Sequence, residues 1–249
     1  MRTIALLKLI AESDNTFTLG KLAAKASLPP STVHRILQPF LRSGLVERSG
    51  GQAYRVGSEL FRIASLVMSQ LDAGTLARPL LRRLWSEWEE TCSLCVYKPT
   101  EHIAVVVETI PTPHFLRFVI EPFAELSLTW GSLGHAILAA LPPAEAELAM
   151  QRPGRGPLSG LPPATPQEMA EVIAKVRAQG FAHYRNEQLD VAGVAAPVHR
   201  GDGTILGSIG ITAPSQRLRP ALVPAMATAV QAAAKELSEM LGYREQSRS

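Results

Sequence analysis

Three short amphipathic helical patterns followed at once by a hairpin, all within residues 1–56, leave the head of this chain few ways to fold. From Arg2 to Glu12 the apolar residues Ile4, Leu7, Ile10 and Ala11 recur at helical spacing, and Ser13-Asp14-Asn15 ends the pattern. Thr18 is placed to cap a second helix that carries Leu19, Leu22, Ala23 and Ala26 on its apolar side. After the turn Ser27-Leu28-Pro29-Pro30, a third helix is predicted from about Ser31 to Arg42, with Val33, Ile36, Leu37 and Phe40 on one side. Gly44 suits the left-handed residue beyond its end. Pro39 lies inside this helix and predicts a kink or an early stop. Leu45–Arg48 and Ala53–Val56 are β-like runs, and Ser49-Gly50-Gly51-Gln52 between them reads as a tight hairpin. Three helices and a hairpin in this order make a winged helix-turn-helix.

The same head carries the positive charge. Residues 1–62 hold nine Lys/Arg and four acids, and the rest of the chain holds sixteen basic and eighteen acidic residues. A basic head on a slightly acidic body suits a phosphate-binding module joined to something else. In a helix-turn-helix the second helix of the pair enters the major groove and presents its N-terminal residues to base edges. Here that helix opens Pro30-Ser31-Thr32-Val33-His34-Arg35. The hydroxyls of Ser31 and Thr32, with the backbone N–H groups beside them, suit phosphate oxygens. Arg35 is one turn further on and long enough to reach guanine O6 and N7, with His34 as a second candidate. Arg48 and Arg55 on the hairpin reach toward phosphate or the minor groove, and Lys21 and Lys25 toward the flanking backbone. Any of these alone is an ordinary exposed residue, but the ordered set points to double-stranded DNA.

Residues 57–72 read as a linker helix whose seam of Leu60, Ile63, Ala64, Val67 and Leu71 suits pairing with a second copy. Residues 73–249 then mix helices and strands. Helices are expected over Leu76–Thr91, Gly131–Leu141, Pro166–Gln179 and Ala221–Leu241. Strands are expected over Ser93–Tyr97, His102–Thr109, Leu116–Ile120, Phe181–Arg185, Val191–His199 and Thr204–Thr212, with a long Pro- and Gly-rich loop over 151–166. These lengths imply an α+β domain built on an antiparallel sheet. Gly131 to Ala136 opens a helix with small residues, which serves either to hold a carboxylate on free N–H groups or to pack glycine closely on a strand.

Two cysteines, Cys92 and Cys95, are too few for a disulfide framework. Their spacing admits an enzyme that uses them as a redox or metal pair. No second pair accompanies them, and their place at a helix-to-strand junction favours buried small apolar residues. No P-loop or Gly-rich nucleotide fingerprint is present and no Ser-His-Asp order, so a non-enzyme without cofactor or metal is expected. No apolar run is long enough to span a membrane and no signal cleavage pattern is seen, so a cytoplasmic protein is expected by default.

Several stretches resemble the IclR-type bacterial transcriptional regulators. They are Leu19-Gly20-Lys21-Leu22-Ala23, Leu28 through Leu37 with its Pro-Ser-Thr-Val-His-Arg run, Gly44 through Arg48, and Tyr54-Arg55-Val56-Gly57. Gly131 through Ala139, Ala195-Ala196-Pro197-Val198 and Gly210 through Leu218 extend the resemblance across nearly the whole chain. It implies a winged-helix head, a linker helix and a GAF-like effector domain, working as homodimers or homotetramers on palindromic operators. It also implies that the Gly131 helix start belongs to a ligand pocket. Carried over position by position, that pocket holds Phe115, Ser132, Leu133, His183, Gly193, Gly210 and Thr212. Family members that bind small oxo-acids carry Asp, Cys and two Ser at the last four places. This chain does not, and with Trp130 added, otherwise a residue readily placed in a core, the pocket is expected to be larger and more apolar. An aromatic acid fits that expectation, its carboxylate taken by His183 or the helix N-terminus.

Overall fold

The computed structural model describes residues 2–13, 16–70, 72–117, 120–151 and 164–244, the side chains of 65–70 excepted. The chain divides into two compact units, Met1–Asp72 and Ala73–Ser249.

In the first unit, α1 (Arg2–Ala11), α2 (Leu19–Ala26) and α3 (Pro30–Arg42) pack over a small sheet of β1 (Phe17–Thr18), β2 (Val46–Arg48) and β3 (Ala53–Val56), in the order β1-β3-β2. The core is Leu6, Ile10, Phe17, Leu22, Val33, Leu37, Phe40, Val46 and Tyr54. Thr18 caps α2 by accepting the Lys21 N–H. Ser27 ends α2 in the left-handed region at φ 50°, a position usually given to glycine. Pro39 does not end α3. It stands in the last turn, where its missing N–H forfeits one bond, and the Ser43 N–H still closes onto the Pro39 carbonyl at 3.0 Å. Gly44, at φ 72°, then lets the Leu45 N–H return to the Phe40 carbonyl at 3.0 Å. α4 (Ser58–Gln70) follows the hairpin and leaves Phe61, Ile63 and Ala64 exposed. Val67's side chain and Leu71 lie outside the described residues.

The second unit is a six-stranded antiparallel sheet in the order β6-β5-β4-β9-β8-β7, covered by helices on both faces. Its strands are β4 (Thr91–Lys98), β5 (Ile103–Ile110), β6 (Glu125–Ser127), β7 (Ala182–Asn186), β8 (Val191–His199) and β9 (Ile205–Ala213). Side chains alternate between the faces. Leu94, Val194, Ile209 and Ile211 meet α5 (Ala73–Trp88) and α9 (Val223–Met240). Cys95, Tyr97, Val106 and Ala195 meet α6 (Gly131–Ala140), α7 (Pro143–Met150) and α8 (Pro166–Gln179).

Several elements differ from those expected, three of them with a visible structural reason. α5 stops at Trp88 because Glu89 turns to φ 52°, and Thr91 already belongs to β4. Pro142-Pro143 stops α6 but also starts α7, proline being well suited to a first helical position. The strand expected over Leu116–Ile120 is not seen at its described residues: Leu116, Arg117 and Ile120 are irregular, the Arg217 guanidinium donates to the Leu116 carbonyl at 2.8 Å, and Phe118 and Val119 lie outside the described residues. The strand beside β5 is β6 instead. The expected loop over 151–166 lies mostly outside the described residues.

Buried polar groups fasten the layers. Ser208 on β9 donates to the Leu133 carbonyl at 2.9 Å and ties α6 to the sheet. Glu90, 6% exposed, accepts two bonds from Arg217 at 2.5 and 2.9 Å. Backbone passes closest at Gly207, where a Cβ would stand 1.8 Å from the Cys95 carbonyl oxygen. Gly207→Ala is therefore expected to destabilise the protein by about 3 kcal/mol in urea unfolding. Gly20→Ala, whose added carbon meets nothing within 4 Å, is expected to stay within about 1 kcal/mol of the wild type.

Candidate functional site

On the head, packing Val33, Leu37 and Phe40 into the core turns the other side of α3 outward. Pro30, Ser31, His34 and Arg35 are exposed there, with Thr32 half-buried. The Gln38 amide donates to His34 Nε2 at 3.0 Å, holding that ring along the helix. Lys21 and Arg48 are exposed, and among the described residues neither they nor Arg35 is paired with an acid. Arg55 is different. Its guanidinium is bonded to Glu47 at 2.9 and 3.3 Å, and the other Glu47 oxygen accepts the Ser58 N–H at 2.9 Å. The Ser58 amide and the Arg55 guanidinium together hold the Glu47 carboxyl below the usual carboxylate range. Arg55 thus braces the hairpin against the start of α4, with its charge largely matched.

In the second unit, a mostly apolar cavity of about 280 Å³ opens at the N-terminus of α6. Trp130 precedes that helix, no side chain caps it, and no acid stands in its first turn, so its leading N–H groups lack side-chain partners. α8, by contrast, carries a complete capping box of Thr165 and Glu168.

Five of the expected pocket residues line the cavity: Trp130, Ser132, Leu133, Gly193 and Thr212. Gly193 leaves space for Ser132, since a Cβ there would stand 2.5 Å from the Ser132 hydroxyl oxygen. Phe115, His183 and Gly210 are not among the lining residues. Phe115 is fully exposed on the irregular segment after β5. Gly210 is pressed against β8, where a Cβ would come within 2.6 Å of the Val194 carbonyl oxygen.

His183 is displaced by the pleat. Tyr184, Gly193 and Thr212 are register partners across β7, β8 and β9 and share the cavity's face, whereas His183 pairs with Val194, whose side chain joins the α5–α9 core. Burial, with Lys175 and Arg185 nearby, lowers the His183 pKa and favours the neutral ring. A shift of one residue along a strand exchanges the faces.

Tyr184, Leu189, Val191 and the segment from Ile120 to Ser127 complete the wall. Tyr184 was readable from the two-residue period once β7 was paired with β8. The Ile120–Ser127 segment carries no such signal. His135 sits behind Tyr184, ring centroids 5.7 Å apart and edge-on. Burial lowers the His135 pKa, and its neutral ring donates from Nε2 to the Thr129 carbonyl at 3.1 Å.

Comparison with known proteins matches residues 1–50 to the IclR helix-turn-helix domain and residues 65–239 to the bacterial transcriptional regulator IclR C-terminal domain. The chain belongs to the IclR family. It is 30% identical over 239 residues to the HTH-type transcriptional regulator BhcR of Paracoccus denitrificans, covering 95% of this chain and 85% of that one. The crystal structure of HmgR from Pseudomonas aeruginosa superposes with a TM-score of 0.75 at 25% identity, over 98% of both chains. An IclR homologue from Microbacterium hydrocarbonoxydans, solved with 4-hydroxybenzoate, superposes with a TM-score of 0.58 at 19% identity, over 96% of this chain and 97% of that one. As an IclR-family regulator the chain binds DNA through its helix-turn-helix head and carries a ligand-binding C-terminal domain. No helix among the described residues is long and apolar enough to cross a membrane.

The two cysteines of this IclR-family chain do not form a pair. Cys92 packs in the α5–α9 core and Cys95 in the core beneath α6, on opposite faces of β4. Burial raises both thiols, Cys95 to about 12. Among the described residues no cluster of His, Cys, Asp and Glu could hold a metal ion. Neither thiol is expected to react with a disulfide reagent at pH 8 while the protein is folded, and both are expected to react once it is unfolded. Rapid labelling of native protein would contradict their burial.

Proposed function

We propose that this regulator binds palindromic operators as a homodimer or homotetramer and changes its DNA affinity when a small organic acid, an aromatic acid among them, occupies the cavity at α6. The observation that carries the reading is that cavity itself, apolar walls leading to an uncapped helix start with Ser132 beside it. Helix N-termini attract carboxylates through unsatisfied N–H groups and the helix dipole. The volume of about 280 Å³ stands at the small end of ligand pockets, ~300–1,000 Å³, which favours a single ring or a short chain. A family neighbour of the same fold solved with 4-hydroxybenzoate supports the same class. The exposed apolar residues Phe61 and Ile63 on α4 support pairing of two copies there. For the ligand to act as a switch, it must bind the DNA-competent and incompetent arrangements unequally.

Operators selected from a random duplex pool test the DNA half. Arg35→Ala is expected to reduce discrimination between selected and scrambled sites by about 1–3 kcal/mol. Lys21→Ala is expected to weaken all duplexes alike and to flatten the dependence on salt. Equal discrimination by wild type and Arg35→Ala would remove Arg35 from base recognition. A thermal-shift panel of benzoates bearing hydroxyl, amino or aminomethyl groups tests the sensor half, because a ligand of the folded state alone raises the Tm. Tyr184→Ala is expected to abolish the rise and Phe115→Ala to leave it unchanged. The reverse pattern would move the site to the segment after β5.

A further inference from the structure

The wall of the α6 cavity carries a charge pattern that a plain acid leaves unanswered. Among the described lining residues there is no Lys, Arg or His, whereas Glu121 and Glu125 both stand there, exposed to solvent at the mouth. Trp130 and Tyr184 add two aromatic rings. Carboxylates and aromatic faces are the two kinds of side chain that attract a cationic nitrogen. Deeper in, the chemistry is the opposite. Ser132 is 4% exposed and Thr212 8% exposed, both line the cavity, and neither hydroxyl has a protein partner among the described residues. Neither oxygen is among the fully buried atoms left without a partner, so both hydroxyls open to the cavity, beside an uncapped helix start, and can donate to a ligand there.

We propose that the effector is a zwitterion, a small molecule whose carboxylate sits at Ser132 and the α6 N-terminus and whose ammonium group is held by Glu121, Glu125 and the rings of Trp130 and Tyr184. This rests on the reading of the cavity as the effector site and narrows it. A simple anion brings its charge toward two carboxylates with no described cation in the wall to offset them, which selects against it. A simple amine leaves the buried hydroxyls and the helix N–H groups without an acceptor. A molecule carrying both groups satisfies both ends of the cavity.

The experiment is calorimetric titration of the full-length protein with two matched sets of compounds. The aromatic set is 4-(aminomethyl)benzoate, 4-methylbenzoate and 4-methylbenzylamine, and the aliphatic set is 5-aminopentanoate, pentanoate and pentylamine. In at least one set the zwitterion is expected to bind tenfold or more tightly than either single-charge analogue. E121Q/E125Q replaces two exposed side chains and is expected to keep the fold, to bring zwitterion and acid within about threefold of each other, and to leave the affinity for the acid equal or higher. Ser132→Ala is expected to weaken the zwitterion and the acid but not the amine. Acids that bind as tightly as their zwitterions would overturn this inference and leave the acid-sensing reading in place. Amines that bind as tightly as the zwitterions would overturn the carboxylate seat at Ser132. Absence of binding by all six compounds at 1 mM would overturn the effector site itself.

Discussion

At Gly207 the backbone passes so near the Cys95 carbonyl that one added carbon would stand 1.8 Å from its oxygen, and Gly134, Gly193 and Gly210 allow similar approaches of 2.4 to 2.6 Å. At Gly207 and Gly210 the close neighbour is the adjacent strand of the same sheet, β4 or β8, whereas Gly134 and Gly193 let α6 approach the sheet where side chains would hold it off. Gly134 brings α6 down onto the end of β6, and Ser208 then fastens α6 to β9 through the Leu133 carbonyl. Gly193 leaves room for Ser132 at the first turn. The position of that turn, and therefore the cavity in front of it, follows from where side chains are missing.

The polar groups inside this unit are for the most part matched. His135 bonds Thr129, Glu90 bonds Arg217, and Arg217 also holds the Leu116 carbonyl of the segment after β5. Unmatched buried polarity is costly, which makes its placement informative. The Ser132 and Thr212 hydroxyls open to the cavity, while the fully buried His183 Nε2, which like Trp88 Nε1 is without a partner, lies on the other face of the sheet. The first two belong to a surface that a ligand can complete, and the third is a neutral ring within the packing.

On the head, the same distinction separates charges that hold structure from charges open to a partner. Arg55 and Glu47 join the two strands of the hairpin, and Glu47 also receives the first N–H of α4. Arg35, Arg48 and Lys21 have no such commitment among the described residues. A count of basic residues treats all four alike. The pairing across β2 and β3, which sets Glu47 opposite Arg55, is what divides them.

The sequence alone determined the helices and hairpin of the head, though not strand β1 or the inward side of α1, where Leu6 is buried and Ile4 is 63% exposed. Helical spacing from Ile4 to Phe40, the Thr18 cap and the Gly44 turn are local signals, each acting within a few residues, so they were legible before any tertiary contact was known. The strands β7 to β9 were legible for the same reason, as was the closure of α8 at Gly180. What crosses from one element to another was decided only by the tertiary structure. Arg217 takes the carbonyl of Leu116 from a segment 101 residues away, and Leu116 and Arg117 are irregular where a strand was expected. The pairing of β7 with β8 puts Tyr184 rather than His183 on the cavity's face, and β4 sends Cys92 and Cys95 into different cores. Alternation along a strand can be read from sequence, but which of its two faces meets a given helix depends on register and packing against distant elements. The cavity is built from such choices.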